Sequence, residues 1–590
     1  MKQRPIRPHL LRILTALFLC HMAGLPLAAQ PFAPLFSPRK QEVRAVWLTT
    51  FRGLDWPTTP ATSPASIGQQ KRELTDILDR LQEAKVNVVI FQTRVRGNVV
   101  YPSQYESWSE PLSGKAGVSP GYDPLAFAID ECHKRGMELH AWMVAVPLGS
   151  DKVHKEMGES SITRRNPKIC KKFNNHWYLN PSHPEARRYL ATLVNELVSN
   201  YDVDGIHLDY IRYPDRPKRF PDAADFRKYG KGRELAQWRR DNITELVRAV
   251  YQEVKSVKPW VKVSSAPLGK YRDTKRYPSL GWNAYHAVYQ EAQAWMREGI
   301  QDMIFPMLYY RGNHFFPFVL DWKEQSYGRH VVPGLGIYFL DPSEGDWTLP
   351  EVESQLNFIR WSGCEGEAHF RSRFLTDNTQ GLYDRVQEHF YYTHALLPAA
   401  PWLDSIPPAK PEQATWCATR PAIAMAWHPA TDNQEGGVCY NVYKSASWPI
   451  DLANPENLVA VRLRDTTFTY RVGLPEERDH YFAVTASDRC GNESAPLFLN
   501  PYIPSAAPVR TLPDEVAHHC LQRLIPDDGI ITLPEHVTGE RVVVSTVAGR
   551  EVANLPYHRS LRINNLPWGC YLVAVGDKDG HQHKIGLFIK

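Results

Sequence analysis

Short apolar runs alternate with amphipathic stretches from residue 42 to about residue 395. The predicted strands cover residues 43–51, 87–95, 137–146, 203–210, 261–266, 301–310, 330–339 and 366–374. The predicted helices between them include residues 71–84, 124–135, 184–200, 242–257, 288–298 and 352–361. This alternation predicts an α/β fold, a (β/α)₈ TIM barrel over residues 42–395. The alternative, an open doubly wound sheet, expects a Gly-rich turn after an early strand, and none is present.

The chain changes character after the predicted barrel. Residues 396–411 carry five prolines and predict a linker. Residues 412–503 contain short alternating strands separated by turn residues, which predicts a β-sandwich. Trp427, followed by Tyr443 and Tyr481, resembles the pattern of a fibronectin type III module.

The last part of the chain, residues 512–590, predicts a small C-terminal β domain. A strand, a turn at Gly549 and a second strand occupy residues 541–552, and further apolar runs end at Lys590. This pattern resembles the C-terminal sorting domain of type IX secretion, which implies the type IX secretion machinery as a partner. The alternative is an ordinary terminal β-sandwich.

The N-terminus has the layout of a secretory signal peptide over residues 1–29. A basic start precedes an apolar run at residues 13–19, and Ala28-Ala29 offers a small-residue cleavage site. Cys20 raises the alternative of a lipoprotein, but Leu19 stands where that signal expects a small residue. The sequence therefore predicts an exported protein of a Gram-negative bacterium, in the periplasm, at the cell surface or secreted.

Composition narrows the classes of ligand. The formal net charge of +5 comes without a Lys/Arg stripe, so no nucleic-acid partner is expected. The cysteines form no C-x-x-C pair, and neither a metal site nor a cofactor is expected. Aromatic residues make up 11% of the chain, which favours carbohydrate as the ligand. The oligomeric state stays open.

Residues 203–214 are the most informative segment for chemistry. On a strand, His207 and Asp209 point to the same face, and Asp209 lies at the C-terminal end, where barrel enzymes place their functional groups. A buried carboxylate is costly unless it is paired or used. We expect His207 or a barrel arginine to stabilise Asp209, with a purely structural His–Asp pair as the alternative.

The same segment belongs to a series of motifs that resembles the glycosyl-hydrolase-like family ten. The matching stretches are residues 42–48, 101–103, 108–109, 121–125, 140–142, 179–181, 203–214 and 306–310. The resemblance implies glycoside hydrolysis, and some relatives act on peptidoglycan glycan strands stripped of peptides. Residues 144–147 and 98–99 depart from the family pattern, which leaves the identity of the substrate open.

Glycoside hydrolysis generally uses two carboxyl groups. Asp209 suits the nucleophile or the base. Glu106, between Tyr105 and Trp108, is the predicted general acid, because an aromatic setting can raise the pKa of a carboxyl group. Asp55 and Asp341 are further candidates. The fifth strand ends without a carboxylate.

Other polar and aromatic residues at the strand ends are predicted to contact the substrate or to support Asp209. They are Asp55, Arg94, Arg96, His140, Trp142, His207, Tyr210, Arg212, Tyr309 and Tyr338. The arginines suit a carboxylate or an anionic sugar, and the aromatic rings suit stacking on a sugar. Six residues that end or follow barrel strands are expected to converge on one pocket, namely Asp55, Arg94, His140, Asp209, Tyr309 and Tyr338.

Three functions remain open. The first is an exported glycoside hydrolase that cleaves the O-glycosidic bonds of a polysaccharide, such as peptidoglycan glycan strands, with a carboxylate pair centred on Asp209. The second is a non-catalytic glycan-binding barrel. The absence of a carboxylate at the end of the fifth strand favours this function. The third is a surface adhesin whose fibronectin-like module binds a protein.

Overall fold

The computed structural model describes most of the chain after residue 36. The described ranges are residues 37–215, 217–419, 422–473, 480–499, 522–524, 526, 529–535, 537–546, 551–566, 570–578 and 582–589. The predicted signal peptide, residues 1–29, lies outside them. The chain divides into two compact units, residues 1–502 and 503–590. Within the described ranges, no helix is both long and apolar enough to cross a membrane.

The first unit contains an α/β barrel. Its strands are β1 (Val43–Leu48), β2 (Val88–Arg94), β3 (Glu138–Val144), β4 (Gly205–Asp209), β5 (Lys262–Ala266), β6 (Met303–Ile304), β7 (two pieces, His330–Val331 and Gly334–Leu335) and β8 (Gly366–Phe370). Neighbouring strands are parallel, and β8 pairs with β1. The pieces of β7 pair with β6 and with β8, so the sheet closes. The predicted barrel fold is confirmed.

Helices connect the strands on the outside of the barrel. They are α1 (Pro64–Glu83), α2 (Pro124–Lys134), α3 (Pro184–Asn200), α4 (Leu235–Val257), α5 (Ala292–Arg297), α6 (Phe316–Glu324), α7 (Leu349–Ser362) and α8 (Leu382–Arg385), which continues as a π-helical turn over Val386–Phe390. Shorter helices are Glu110–Ser113, Asp151–Met157, Ile162–Arg165, Ala223–Tyr229, Ala284–Ala287 and Ser372–Thr376. The segment after β3 also forms a small antiparallel sheet from Pro147–Ser150, Cys170–Phe173 and His176–Leu179.

Local sequence signals fix where several helices begin. The side chain of Asp123 accepts hydrogen bonds from the backbone N–H groups of Leu125 and Ala126 at 3.1 and 3.0 Å, and Pro124 is the first residue of α2. The carboxylate satisfies backbone donors that have no partner within the helix, and proline lacks the N–H group that would be unsatisfied there. These signals set the start of α2 where the sequence predicts it.

Alternation along the strands separates the inside of the barrel from the helix-covered outside. In β1, Ala45 and Trp47 belong to the core inside the barrel, whereas Val46 and Leu48 belong to the core between sheet and helices. Gly205 has a steric role in this packing, because a Cβ atom there would lie 2.7 Å from the ring of His140. The barrel interior is thus filled by large rings below the functional end.

The predicted β-sandwich follows in the same unit. Its strands are β9 (Glu412–Thr419), β10 (Ala422–His428), β11 (Cys439–Ser445), β12 (Leu458–Leu463), β13 (Thr467–Arg471), β14 (Tyr481–Ser487) and β15 (Leu497–Phe498). They form antiparallel sheets of three and four strands, in the orders β9-β10-β13 and β12-β11-β14-β15. Trp427, Tyr440 and Phe482 pack in the core. The assignment to the fibronectin type III class stays a prediction.

The second unit is a separate β domain. Its described strands are β16 (Gln522–Arg523), β17 (Ile530–Thr532), β18 (Arg541–Thr546), β19 (Glu551–Pro556), β20 (Ser560–Arg562), β21 (Cys570–Gly576) and β22 (Gln582–Ile589). A five-stranded sheet has the order β16-β22-β21-β18-β19, and β17 pairs with β20. The sorting function of this domain stays a prediction.

Buried ion pairs join the sandwich to the end of the barrel where the strands begin. Arg462 of β12 lies 3.3 Å from carboxylate oxygens of both Glu138 and Asp204. Arg489 lies 3.0 Å from Asp204, and the Nζ atom of Lys262 lies 2.8 Å from Glu138. The sandwich therefore supplies two arginines, Arg462 and Arg489, that pair with buried carboxylates at the N-terminal ends of the barrel strands.

Candidate active site

A cavity of about 570 Å³ opens at the C-terminal ends of the barrel strands. Both aromatic and charged side chains line it. The described lining residues include Thr49, Phe51, Gln92, Arg96, Trp142, Asp209, Tyr210, Arg212, Met307, Tyr309, Tyr310, Tyr338, Glu344, Phe370 and Phe374. This is the end of the barrel at which catalytic groups are expected.

Asp209 lies in the wall of this cavity and is only 6% exposed. Its Oδ2 atom accepts a hydrogen bond from the Nε1 atom of Trp142 at 3.1 Å, and its Oδ1 atom accepts one from the backbone N–H of Tyr210 at 2.7 Å. Burial raises the pKa of Asp209 to about 6, although Arg212 and the two hydrogen bonds act in the opposite direction. A carboxyl group with this pKa can both donate and accept a proton near neutral pH.

Aromatic rings form one wall of the cavity. The rings of Tyr309 and Phe370 stack with centroids 5.4 Å apart, and Tyr338 lies edge-on to Tyr309 at 5.9 Å. Burial raises the pKa of Tyr309 well above its usual value and that of Tyr338 to about 12, so both hydroxyl groups stay protonated. The wall offers apolar ring faces and neutral hydroxyl donors, which suit a sugar.

Of the three described arginines that line the cavity, Arg371 pairs with Asp55, and Arg96 and Arg212 lie over aromatic rings. Arg96 lies over the ring of Phe51 at 4.4 Å, and Arg212 lies over the ring of Tyr210 at 4.7 Å. Arg212 is 8% exposed, and its Nη1 atom is buried without a hydrogen-bond partner. Its nearest carboxylate, on the exposed residue Asp215, lies 3.8 Å away, beyond hydrogen-bond distance. Donor capacity is therefore left at the cavity for an anionic group.

A second cavity adjoins the first one. It has a volume of about 520 Å³ and shares Phe51, Val95 and Arg96 with the first. Its other walls come from the segments that follow β1, β2 and β3, and they include Glu110 and His176. The two cavities therefore share part of one wall.

Glu106 and Arg94 lie outside the lining of both cavities. They form a buried ion pair with N–O distances of 2.7 and 2.6 Å, and the hydroxyl of Tyr189 also donates to Glu106 at 3.0 Å. The structure thus pairs Glu106 with Arg94, and it does not bring this residue to Asp209. The expected convergence of Arg94 on the pocket is wrong.

A β-bulge explains why Arg94 and the cavity lie apart. In the pairing of β2 with β3, Gln92 opposes Trp142, and Arg94 opposes Met143. Trp142 faces the cavity, whereas Met143 packs in the outer core. The extra residue of the bulge reverses the alternation, so Arg94 points to the outer side.

His140 and His207 are buried below the cavity. The Nε2 atom of His140 lies 3.0 Å from Glu138, and His207 contacts Trp47 at 3.1 Å and Ser264 at 2.9 Å. Burial lowers the pKa of His207 well below its usual value. Of the two groups expected to stabilise Asp209, His207 or a barrel arginine, His207 instead contacts Trp47 and Ser264. The arginine is Arg212, whose charge favours the ionised form of Asp209 together with hydrogen bonds from a backbone N–H and Trp142.

Asp55 lies behind the cavity wall. Its carboxylate accepts a hydrogen bond from the backbone N–H of Thr49 at 3.0 Å and pairs with Arg371. Burial raises the pKa of Asp55, and Arg371 opposes this effect. Arg371 lines the cavity, whereas Asp55 does not. Asp55 therefore fixes a wall residue.

Glu344 is a carboxylate that sequence reasoning missed. Among the described residues that line the main cavity, Asp209 and Glu344 are the two carboxylates. Asp341, the candidate predicted in the loop after β7, does not line the cavity. Its Oδ1 atom accepts hydrogen bonds from the N–H and hydroxyl groups of Ser343 at 2.8 and 2.7 Å. Asp341 thus stabilises a turn, and the next carboxylate in the same loop faces the cavity.

The chain matches one family model and is similar to proteins named as glycosyl hydrolases. The model of a family described as Glycosyl hydrolase-like 10 matches residues 42–338. Glycosyl hydrolase YngK of Bacillus subtilis (strain 168) is 30% identical over 484 residues, which cover 77% of this chain and 92% of that protein. Glycosyl hydrolase DigH of Escherichia coli (strain K12) is 32% identical over 395 residues, which cover 60% of this chain and 90% of that protein.

Among solved structures, a partial match is the PgaB (BpsB) glycoside hydrolase domain from Bordetella bronchiseptica. It is 15% identical, and the match covers 59% of this chain and 98% of that chain with a TM-score of 0.43.

Proposed function

The chain belongs to the glycosyl hydrolase-like 10 family, and on that basis we propose that it hydrolyses O-glycosidic bonds of a polysaccharide at the cavity around Asp209. The observation that carries this proposal is the environment of Asp209. It is a buried carboxyl group with a pKa of about 6 in a cavity walled by aromatic rings. A glycoside hydrolase needs such a group to give a proton to the leaving oxygen.

The raised pKa favours Asp209 as the general acid rather than as the nucleophile or base. In its protonated form Asp209 donates its proton to the glycosidic oxygen while the bond from that oxygen to the anomeric carbon breaks. We assign the second carboxylate to Glu344, which is exposed and lines the same cavity. Glu344 either attacks the anomeric carbon or takes a proton from the attacking water.

The proposed substrate is a polymer that carries negative charge, such as peptidoglycan glycan strands freed of peptides. Two features support a polymeric anion. A second cavity of about 520 Å³ shares Phe51, Val95 and Arg96 with the main cavity. Arg212 has a buried Nη1 donor without a partner. Arginine matches a carboxylate in geometry and charge.

Release of reducing ends from purified glycan strands tests this proposal. We expect turnover of native strands and a lower kcat/KM on strands whose carboxyl groups are converted to amides. Arg212→Gln should reduce that preference by about tenfold, the effect of losing one charge-assisted hydrogen bond. Arg311→Gln is the matched control, because Arg311 is a half-exposed arginine outside the cavity lining. Equal turnover of native and amidated strands contradicts an anionic substrate.

A non-catalytic glycan-binding barrel is the second candidate. The observation that favours it is that β5 ends at Ala266, which pairs with Asp209 and brings no carboxylate beside it. This candidate predicts that the protein binds glycan strands in equilibrium dialysis without releasing reducing ends.

We further propose that the chain is exported, with cleavage after Ala29, and that residues 512–590 direct it to the cell surface through type IX secretion. The basic and apolar start and the separate terminal β domain support this proposal. A chain that ends at residue 505 should keep its activity and stay in the periplasm, whereas the full chain reaches the surface or the medium. Identical fractionation of the two chains contradicts the sorting role.

A further inference from the structure

Three carboxylates converge where the linker meets two loops of the sandwich. Asp404 belongs to the proline-rich segment, Asp432 lies between β10 and β11, and Asp488 directly follows β14. One oxygen atom from each carboxylate lies within 4.8 Å of the others. Asp404 is 9% exposed and Asp488 is 2% exposed. Three segments that are distant in sequence therefore place like charges together in a buried setting.

Two carboxylate oxygens of this cluster have no partner. The Oδ2 atom of Asp404 and the Oδ1 atom of Asp432 are buried and accept no hydrogen bond. Among the residues that the structure describes, no lysine or arginine forms an ion pair with any of the three carboxylates. Buried polar atoms are normally satisfied, and buried charges normally have a counter-charge. These oxygens thus have unused capacity for a cation.

The cluster is electrostatically unfavourable without a cation. Three carboxylate oxygens that lie within 4.8 Å of one another in a largely buried setting repel one another. Asn492 neutralises none of this charge, although its side chain donates to Asp488 at 2.7 Å. A bound divalent cation removes the repulsion.

We propose that Asp404, Asp432 and Asp488 form a binding site for one calcium ion. Calcium takes oxygen ligands at ~2.3–2.6 Å, so two oxygens on opposite sides of the ion lie about 5 Å apart. Three oxygens that all lie within 4.8 Å of one another can therefore reach one calcium ion together. All three ligand groups are carboxylates. Calcium binds oxygen ligands, whereas zinc sites in proteins mainly use nitrogen and sulfur ligands. Magnesium needs nearly ideal octahedral geometry, whereas calcium tolerates ligands from three independent loops.

Calcium binding at Asp404 would hold the proline-rich segment, residues 396–411, in place. The same proline-rich segment contacts the barrel, because the Nε1 atom of Trp402 donates to Asp302 at 2.9 Å and the carbonyl oxygen of Ala399 lies 3.1 Å from His330. A calcium ion on Asp404 holds this segment to the loops of Asp432 and Asp488. The ion therefore stabilises the junction of barrel and sandwich, and this role is independent of glycan hydrolysis.

Calcium binding by the full chain, freed of metal with a chelator, tests the proposal. We expect one calcium ion per chain by isothermal titration and a rise in Tm of about 3 °C or more when calcium exceeds Kd by ~100-fold. Asp404→Asn and Asp432→Asn should each weaken calcium binding by at least ~10-fold, because the site loses one charged ligand. Asp451→Asn, the same change at an exposed site in the same module, should leave the affinity unchanged.

A second readout separates loss of the site from loss of the fold. In chelator, Asp432→Asn should melt at or above the Tm of the unaltered chain, because one repelling charge is gone. Absence of calcium binding at millimolar concentration overturns the proposal, as does unchanged binding in both cluster variants. Magnesium binding as tight as calcium binding overturns the choice of ion.

Discussion

The Nε1 atom of Trp142 lies 3.1 Å from the Oδ2 atom of Asp209, and the two residues come from neighbouring strands of the barrel. This hydrogen bond stabilises the charged form of Asp209, whereas burial of the same carboxyl group favours the neutral form. The balance leaves a pKa of about 6. The proton affinity of the proposed acid therefore depends on an indole group that does not itself titrate.

Replacement of Trp142 by Phe tests this dependence. The variant keeps an aromatic ring but loses the donor, so the pKa of Asp209 should rise and the alkaline limb of the kcat/KM profile should move to higher pH. We expect activity at the optimum to fall by about tenfold, the order expected from one hydrogen bond to a charged group. Trp416→Phe, an exposed tryptophan of the sandwich, serves as the control. An unshifted pH profile in Trp142→Phe contradicts the role of the indole.

The raised pKa of Asp209 also makes a prediction about stability. The folded-state pKa of about 6 lies above the ordinary value of 3.8, so the neutral carboxyl group is favoured in the folded protein. This contribution is present below pH 3.8 and is lost as pH rises through 6. At pH 8, Asp209→Asn should therefore raise the free energy of unfolding by ~1–3 kcal/mol. The gain should vanish near pH 4 in denaturant melts, and a pH-independent difference contradicts the burial argument.

Glu344 makes a separate prediction about the second carboxylate. Glu344→Gln should lower kcat by ~10²-fold or more, because the attacking group or its activation is lost. The control is Asp346→Asn, a carboxylate of the same loop that is highly exposed and lies outside the cavity lining. If both variants retain full turnover, the second carboxylate lies elsewhere.

Arg462 tests the ionic junction between barrel and sandwich. Arg462→Met removes a buried cation that lies 3.3 Å from both Glu138 and Asp204, which should destabilise the chain by ~3 kcal/mol at pH 7. The exposed Arg464 pairs with Asp202 at 2.9 Å, and Arg464→Met should cost below ~1 kcal/mol. Urea midpoints measure both effects, and equal small shifts contradict the proposed junction.

The pH dependence of that junction follows from Glu138. Burial alone raises the pKa of Glu138, but Lys262 and Arg462 outweigh it and hold the pKa at about 2. The ionised carboxylate therefore stabilises the fold above pH 4.5, and this contribution is lost as pH falls through 2. The difference between Arg462→Met and the unaltered chain should shrink on acidification.

Strand positions were predictable from the sequence because hydrophobic runs and helix start signals act locally. Every predicted strand of the barrel contains an observed one, and α2 and α3 begin at the predicted prolines, Pro124 and Pro184. Asp209, Tyr309 and Tyr338 line one cavity because the C-terminal ends of parallel strands share one end of a barrel. The position of these three residues at one end of the barrel was therefore predictable, and their roles in catalysis stay predictions.

Depth along a strand and pairing register were not predictable. His140 shares a face with Trp142 but lies two residues nearer the start of β3, about 7 Å deeper in the barrel. Arg94 leaves that face because of a bulge that depends on the partner strand. The partner of Glu106 depends on how a long loop folds back onto Arg94, and single-sequence patterns contain no such information.

The proposed role of Asp209 is to supply the proton in glycoside hydrolysis. Its most direct test is the rate of reducing-end release from purified glycan strands by Asp209→Asn, measured beside the unaltered chain. We predict that the variant folds, binds the strands and loses at least ~10³-fold in kcat. The reason is that a side-chain amide is not acidic enough to transfer a proton to the leaving oxygen. Near-normal turnover by the folded variant would contradict the account.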